Sequence, residues 1–338
     1  MTQDDRAVNP AARTSVSIAL CTYQGSLYLE AQLDSLLAQS RPPEEIVVFD
    51  DASQDGTWEQ LQGFAARAAV QGVGVALHRN PSNVGYVENF QRALKSTTGE
   101  LVFLCDQDDV WHSERLARYI AEFERRPELL MLHSDARLVD GKGESMHCGL
   151  FEAFEVDKAE IEAVHGGRAF EVLVRRNIVT GATMAVRRCV IERAPSVPAG
   201  WIHDEWLAIV AATLGPVDCL EEATIDYRQH GANQVGARRR GFLERLTGGK
   251  VTHSEFMARM LARTQTLSDH VASGHLQLDA DATRLVSERL QHARLRSALP
   301  HAPWPRSLAV LSEFASGRYE RFSNGARSMV SDLIRLHR

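Results

Sequence analysis

No run of this 338-residue sequence approaches eighteen consecutive apolar positions, so no helix is expected to span a membrane. The N-terminal residues are polar and no apolar segment follows them, so no secretory signal is expected. Zinc-type cysteine spacing is missing too. The five cysteines, Cys21, Cys105, Cys148, Cys189 and Cys219, are odd in number and scattered, which argues against a disulfide framework and suits a reducing cytoplasm. There is no internal repeat and no low-complexity segment. No Gly-x-Gly-x-x-Gly and no P-loop lysine follows the first strand-like run, so backbone amides alone would not cradle a phosphate; a cation would have to carry that charge. Positive charge is scarce in the front of the chain: residues 1–235 hold 21 Lys and Arg against 35 Asp and Glu. That balance argues against nucleic acid as a partner. Residues 236–338 reverse it, with 17 basic against 9 acidic residues.

What is present alternates. Apolar runs at Val16–Leu20, Ile46–Phe49, Val73–Leu77 and Leu101–Cys105 are too short for helices and rich in strand formers. Between them, helical periodicity recurs over 27–39, 57–69 and 88–96. Near-continuous apolar strands separated by helices predict an α/β fold with a parallel sheet covered on both faces. Further on, the patterns predict a helix over 116–126, a strand over 129–135, a strand with a Gly-rich turn over 137–149, and a loop with a short helix over 151–164. A strand over 178–186 with Gly181 in its middle, a helix over 205–214 and short strands at 219–220 and 224–228 complete that region. Helices over 254–272, 280–298 and 305–316 close the chain, with Pro300, Pro303 and Pro305 as breaks. The organisation expected is a mobile tail (1–14), a catalytic domain (15–237) and a helical extension (238–338).

Chemistry concentrates where strands end. Leu101–Cys105 runs into Asp106-Gln107-Asp108-Asp109. If the extended form continues, Asp106 and Asp108 point the same way. Two adjacent carboxylates repel unless something positive lies between them, and a divalent cation with a phosphate-bearing substrate satisfies both. Asp109 suits a cap for the helix opening at Ser113-Glu114-Arg115. The first strand ends in Thr22-Tyr23 and the second in Asp50-Asp51. Successive strand ends of a parallel sheet share one edge, so all three sets can face one crevice.

In those pieces the chain resembles a family 2 glycosyltransferase of the GT-A fold: a Rossmann-like, mostly parallel sheet with helices on both faces, here followed by a C-terminal helical extension. The residues that carry the resemblance are Ser17 to Gly25, Val47 to Thr57, Asn83-Val84-Gly85 and Cys105 to Trp111. Three later stretches, Asn177 to Met184, His203 to Ala208 and Tyr227 to Ala237, resemble a rhamnosyltransferase-like subgroup. The final hundred residues lie outside the resemblance. It implies that Thr22, Tyr23, Asp51, Asn83, Asp106, Gln107 and Gly181 bind a nucleoside diphosphate sugar donor, with Asp51 at the base and Gly181 where backbone approaches the sugar. It implies that Asp108 and His230 hold Mn²⁺ or Mg²⁺; imidazole suits Mn²⁺ better. Asp204 is then the base of an inverting transfer to a glycan or lipid-linked acceptor, with dTDP-rhamnose as first donor. Where the family commonly has Glu-Asp, this chain has His203-Asp204, and the neighbouring Glu205 competes for the role. Asp204 also suits a helix N-cap, a place where the helix dipole would lower its pKa. A nucleotidyltransferase and a noncatalytic nucleotide-sugar-binding protein remain as alternatives. The arginine-rich tail, with Arg238-Arg239-Arg240 and a basic amphipathic stretch over 319–338, suits either the inner face of a membrane or a contact with the chain itself or a second subunit.

Overall fold

The computed structural model describes residues 13–231 and 253–334. Most of the expected tail, the Ala232–Ala237 end of the last motif, and Arg238-Arg239-Arg240 lie outside the described residues. Nine strands form one sheet in the order β3-β2-β1-β4-β8-β6-β9-β5, with β7 paired to β6. The first half contains β1 (Val16–Thr22), β2 (Glu45–Asp50), β3 (Gly74–Arg79) and β4 (Leu101–Cys105), all paired in parallel. Every residue of β1 and β4 is buried, as covered parallel strands require. Beyond β4 the pairing becomes mixed. β8 (Ala185–Arg187) runs antiparallel to β4 and to β6 (Met131–Asp140), while β9 (Val217–Gln229) is parallel to β6. β5 (Val110–Trp111) and β7 (Ser145–Gly149) pair antiparallel with β9 and β6 respectively.

Side-chain alternation along β1 builds two cores from one strand. Val16, Ile18 and Leu20 pack with Leu29, Leu33, Leu61 and Phe64, the inward residues of α1 (Ser26–Leu37) and α2 (Thr57–Val70). Ala19 and Cys21 face the opposite core. Its other residues come from α3 (Tyr86–Ser96), α7 (Ala169–Arg175) and α9 (His203–Leu214) and include Phe90, Leu173, Trp206 and Val210. α4 (Arg115–Arg125) joins the first layer through Leu116, Tyr119 and Phe123. Each fully buried Leu, Ile or Phe contributes about 1.5–3 kcal/mol.

Several expectations change. Two short helices, α5 (Leu150–Ala153) and α6 (Lys158–His165), occupy the stretch expected as loop with one helix, and α7 and α8 (Arg188–Arg193) had no counterpart. The strand expected over 178–186 shrinks to β8, because Gly181–Thr183 forms a 3-10 turn. The two short strands expected near 219–228 are one continuous strand, β9. The C-terminal helices are α10 (His253–Ala272), α11 (Ala280–Ser297), α12 (Pro303–Ala315), α13 (Arg318–Phe322) and α14 (Gly325–Leu333). Pro303 and Pro305 open α12 instead of breaking it, since the first turn has no use for their missing N–H groups. The final segment turns inward: Phe322 joins the core beside α7 and α9, and Asp332 accepts from Arg296 at 2.6 Å and from the Tyr319 hydroxyl at 2.7 Å. Trp304, Leu308 and Leu311 leave an exposed apolar stripe on α12. No described helix is long and apolar enough to cross a membrane.

Candidate active site

The strand ends converge as parallel topology demands. Thr22, Tyr23, Asp51, Asn83, Asp106, Gln107, Asp108, Asp204 and His230 all line one cavity of about 580 Å³. Thr22 turns its hydroxyl to Asp50 at 3.0 Å, and its carbonyl accepts the Asp51 N–H at 2.8 Å. Tyr23 is exposed. Asp51 is buried and accepts from Asn80 Nδ2 and the Val84 N–H at 2.8 Å and from the Gly85 N–H at 2.9 Å. Three of its roughly four acceptor sites therefore hold the 80–85 loop, with Asn83 exposed at the loop's tip.

Gln107 has a second role the sequence did not reveal. Its amide donates to the Tyr23 carbonyl at 3.0 Å and accepts from the Tyr23 N–H at 2.8 Å, tying the end of β1 to the end of β4. Gly25 makes room for it: a Cβ there would lie 2.2 Å from Gln107 Oε1.

After Cys105 the chain bends, so the extended form expected through Asp108 does not continue. The carboxylates still crowd. Burial raises the Asp106 carboxyl to about 8, helped by the charges of Asp108 and Asp204. Burial also raises Asp108, against a 2.8 Å contact between its Oδ2 and His230 Nε2. His230 lies against Tyr28 with ring centroids 4.6 Å apart and planes tilted by 31°, and Arg228 Nε donates to the Asp108 carbonyl at 2.8 Å. Asp109 is not a helix cap: α4 begins behind Glu114, and Asp109 Oδ1 accepts the Arg228 N–H at 2.9 Å. Its other oxygen, Oδ2, is buried without a partner. Asp106, Asp108 and His230 share the wall of this cavity, and carboxylate and imidazole are the chemistry a divalent cation takes, whereas Asp109 is held by the Arg228 N–H outside that wall. Among the described residues the compact group of potential ligand atoms is His165, Asp218 and Cys219, at the opposite end of β9 from this cavity. Asp218 is already neutralised by Arg126 and His165, and burial holds the Cys219 thiol up at about 12.

Asp204 lies in the first turn of α9, whose N-cap is Ile202, so it does not cap the helix. Its Oδ2 accepts the Gly181 N–H and its Oδ1 the Glu205 N–H, both at 2.7 Å. Burial outweighs these bonds and raises its pKa, opposite to the dipole-driven lowering expected. Gly181 thus sits behind Asp204 and orients it; among the cavity walls the neighbouring Val179 and Thr180 take the place expected of it. Glu205 is removed from competition by Arg263 of α10, which donates to its carboxylate at 2.5 Å and lies 4.4 Å over Trp201. His203 stacks on Phe90 at 4.0 Å, and burial lowers its pKa to about 3. It is neutral at physiological pH and packs beside the base.

Comparisons with known proteins bear on the fold. Residues 17–169 match the model of Glycosyl transferase family 2. An uncharacterized glycosyltransferase of Nostoc is 27% identical over 229 residues, covering 64% of this chain and 66% of the relative. A putative teichuronic acid biosynthesis glycosyltransferase of Bacillus subtilis is 30% identical over 105 residues, 31% of this chain and 40% of that one. The chain thus spans at most about two thirds of these relatives. Among solved structures, residues 1–349 of Staphylococcus aureus TarS with UDP-GlcNAc align over 94% of this chain and 89% of that one. Their TM-score is 0.60 at 15% identity. A mannosyltransferase from Pyrobaculum calidifontis, in complex with GDP-Man and Mn²⁺, aligns over 98% of this chain and 84% of that one. Its TM-score is 0.51 at 20% identity. The fold is therefore the one these solved structures share, a mixed, mostly parallel sheet covered by helices, followed here by C-terminal helices.

Proposed function

We propose that this chain is an inverting, cation-dependent glycosyltransferase that moves a sugar from a nucleoside diphosphate donor to a hydroxyl of a cell-surface or lipid-linked glycan. The observation that carries the reading is one cavity lined by Asp51, Asp106, Asp108 and Asp204 together. Asp51 and the loop it holds would receive the nucleoside. Asp106, Asp108 and His230 would hold Mn²⁺ or Mg²⁺, which when bound neutralises the diphosphate. Asp204 would take the proton of the acceptor hydroxyl as its oxygen bonds to the anomeric carbon. The bond from that carbon to the diphosphate breaks on the opposite face, and nucleoside diphosphate leaves. Two backbone N–H groups fix the carboxylate, and its burial favours proton uptake. The late-chain resemblance makes dTDP-rhamnose the first donor to try. The solved neighbours hold UDP-GlcNAc and GDP-Man, so those donors belong in the same panel.

The test is donor turnover with Mn²⁺, with chelator, and in Asp108→Ala. Turnover should depend on the cation and fall in the variant; turnover indifferent to both removes the cation from the reaction. Pyrophosphate in place of nucleoside diphosphate as product would mark a nucleotidyltransferase, and donor binding without turnover on any acceptor a noncatalytic protein.

A further inference from the structure

A second cavity, about 660 Å³, lies between α7 and α9 of the sheet layer and α10, α11 and α14 of the C-terminal helices. Its walls include Arg175, Arg176, Arg263, Arg289, Arg296 and Arg327, against two acids, Glu155 and Glu205. Some of this charge is answered: Arg176 by Glu160, Arg263 by Glu205 and Arg296 by Asp332. Arg289 is not. It is only 4% exposed, it has no carboxylate partner among the described residues, and its Nε reaches the Val174 carbonyl at 3.3 Å. Burial and the neighbouring Arg296 and Arg263 lower its pKa to about 10, so it stays charged at neutral pH. Arg327 is exposed and likewise lacks an ion pair among the described residues. On the same walls, Arg175 Nε and Trp201 Nε1 are buried donors with no hydrogen-bond partner among the described residues, though Arg175 reaches Glu160 at 3.9 Å through Nη1. A buried cation with no counter-charge is costly unless a ligand supplies one.

The cavity adjoins the first. Phe154, Asn177 and Glu205 line both, and Glu205 is the residue after Asp204. An anion held among these arginines is therefore separated from the cavity that holds Asp204 by a wall the two share. We propose that this second cavity binds the acceptor, and that the acceptor carries a phosphate group, as a diester or a diphosphate, near the hydroxyl to be modified. Guanidinium forks match phosphate oxygens two at a time, and the space exceeds what a lone carboxylate needs. Calling the ligand an acceptor rests on the transferase reading; the phosphate site itself does not.

The experiment is calorimetric titration of the full chain without divalent cation. One probe is a soluble glycerol phosphate trimer. The other is a farnesyl diphosphate-linked N-acetylglucosamine in neutral detergent, and uncharged chitotriose is the control. At least one phosphate probe should bind, more weakly as salt rises, and about tenfold or more weakly in Arg289→Gln and in Arg327→Glu. Preference for the trimer identifies a phosphodiester polymer as source, and preference for the diphosphate a lipid carrier. No phosphate binding, equal binding by Arg327→Glu and the parent, or equal binding of chitotriose overturns the proposal. UDP titrated on each protein in a separate run with Mn²⁺ present reports whether the variant is folded. Because Arg327 is exposed, its variant decides the matter if Arg289→Gln fails to fold. Phosphate binding with no nucleotide binding would retain this site while refuting the transferase reading.

Discussion

Gly25→Ala offers a quantitative test of how the cavity is assembled. The added Cβ would meet Gln107 Oε1 at 2.2 Å and Cδ at 2.5 Å, so the Gln107 side chain must leave. Leaving breaks both of its bonds to the Tyr23 backbone. At about 1 kcal/mol per neutral hydrogen bond, the loss is about 2 kcal/mol. Gln107→Ala should lose the same two bonds directly, again about 2 kcal/mol. With Gln107 already gone, Gly25→Ala meets no obstacle, so the double variant should also lose about 2 kcal/mol and not about 4. Urea denaturation of the four proteins, compared at equal m, measures the coupling. Costs that add to within about 0.5 kcal/mol would refute the account, because the two residues would then be acting independently.

Asp204→Asn should lower turnover by about 10²–10⁴ while nucleotide affinity is kept; a collapse of nucleotide binding in calorimetry would make Asp204 structural. Arg263→Ala strands the mostly buried Glu205 and should cost about 2 kcal/mol in urea denaturation. Adding Glu205→Gln should recover most of that loss, and no recovery would mean that the charge is not the cause. Stability should also fall in acid through two histidines. Burial depresses His203 to about 3 and His133 to about 4, so each stays neutral in the fold while the unfolded chain takes up a proton near 6.5. Their contribution is whole above pH 6.5 and declines as pH falls toward 4, by about 2 kcal/mol each at pH 5. Denaturation midpoints in His203→Gln should vary less between pH 7 and pH 5 than in the parent, and an equal variation would count against the assignment.

The first four strands were legible because each is a short apolar run buried on both faces, and a covered parallel strand leaves no other pattern. The carboxylate positions followed from topology, since parallel strands end on one edge. What failed to show was set by contacts between distant residues. Gln107 and Tyr23 are 84 positions apart, and the Arg263–Glu205 pair spans 58; neither side chain carries a local mark of its partner. The helix Ala169–Arg175 is too short for its periodicity to stand out. Exposed Glu221 and Glu222 lie where the register of β9 against β6 shifts, and they interrupt its apolar pattern. Gly181 was misassigned because a glycine amid apolar residues reads alike in a bulged strand and in a 3-10 turn.

The change from parallel to antiparallel pairing at β4 and β8 divides the chain's contributions to the cavities as well as the sheet. The residues expected to recognise the nucleoside, Thr22, Tyr23, Asp51 and Asn83, come from upstream of that seam, while Gly181, the base, His230 and the arginine-lined cavity come from downstream. A hybrid enzyme spliced between Trp111 and Leu150 would thus exchange the acceptor side and keep the nucleoside side. Its compatibility would be decided at Arg228 and His230, which reach back across the join to Asp108.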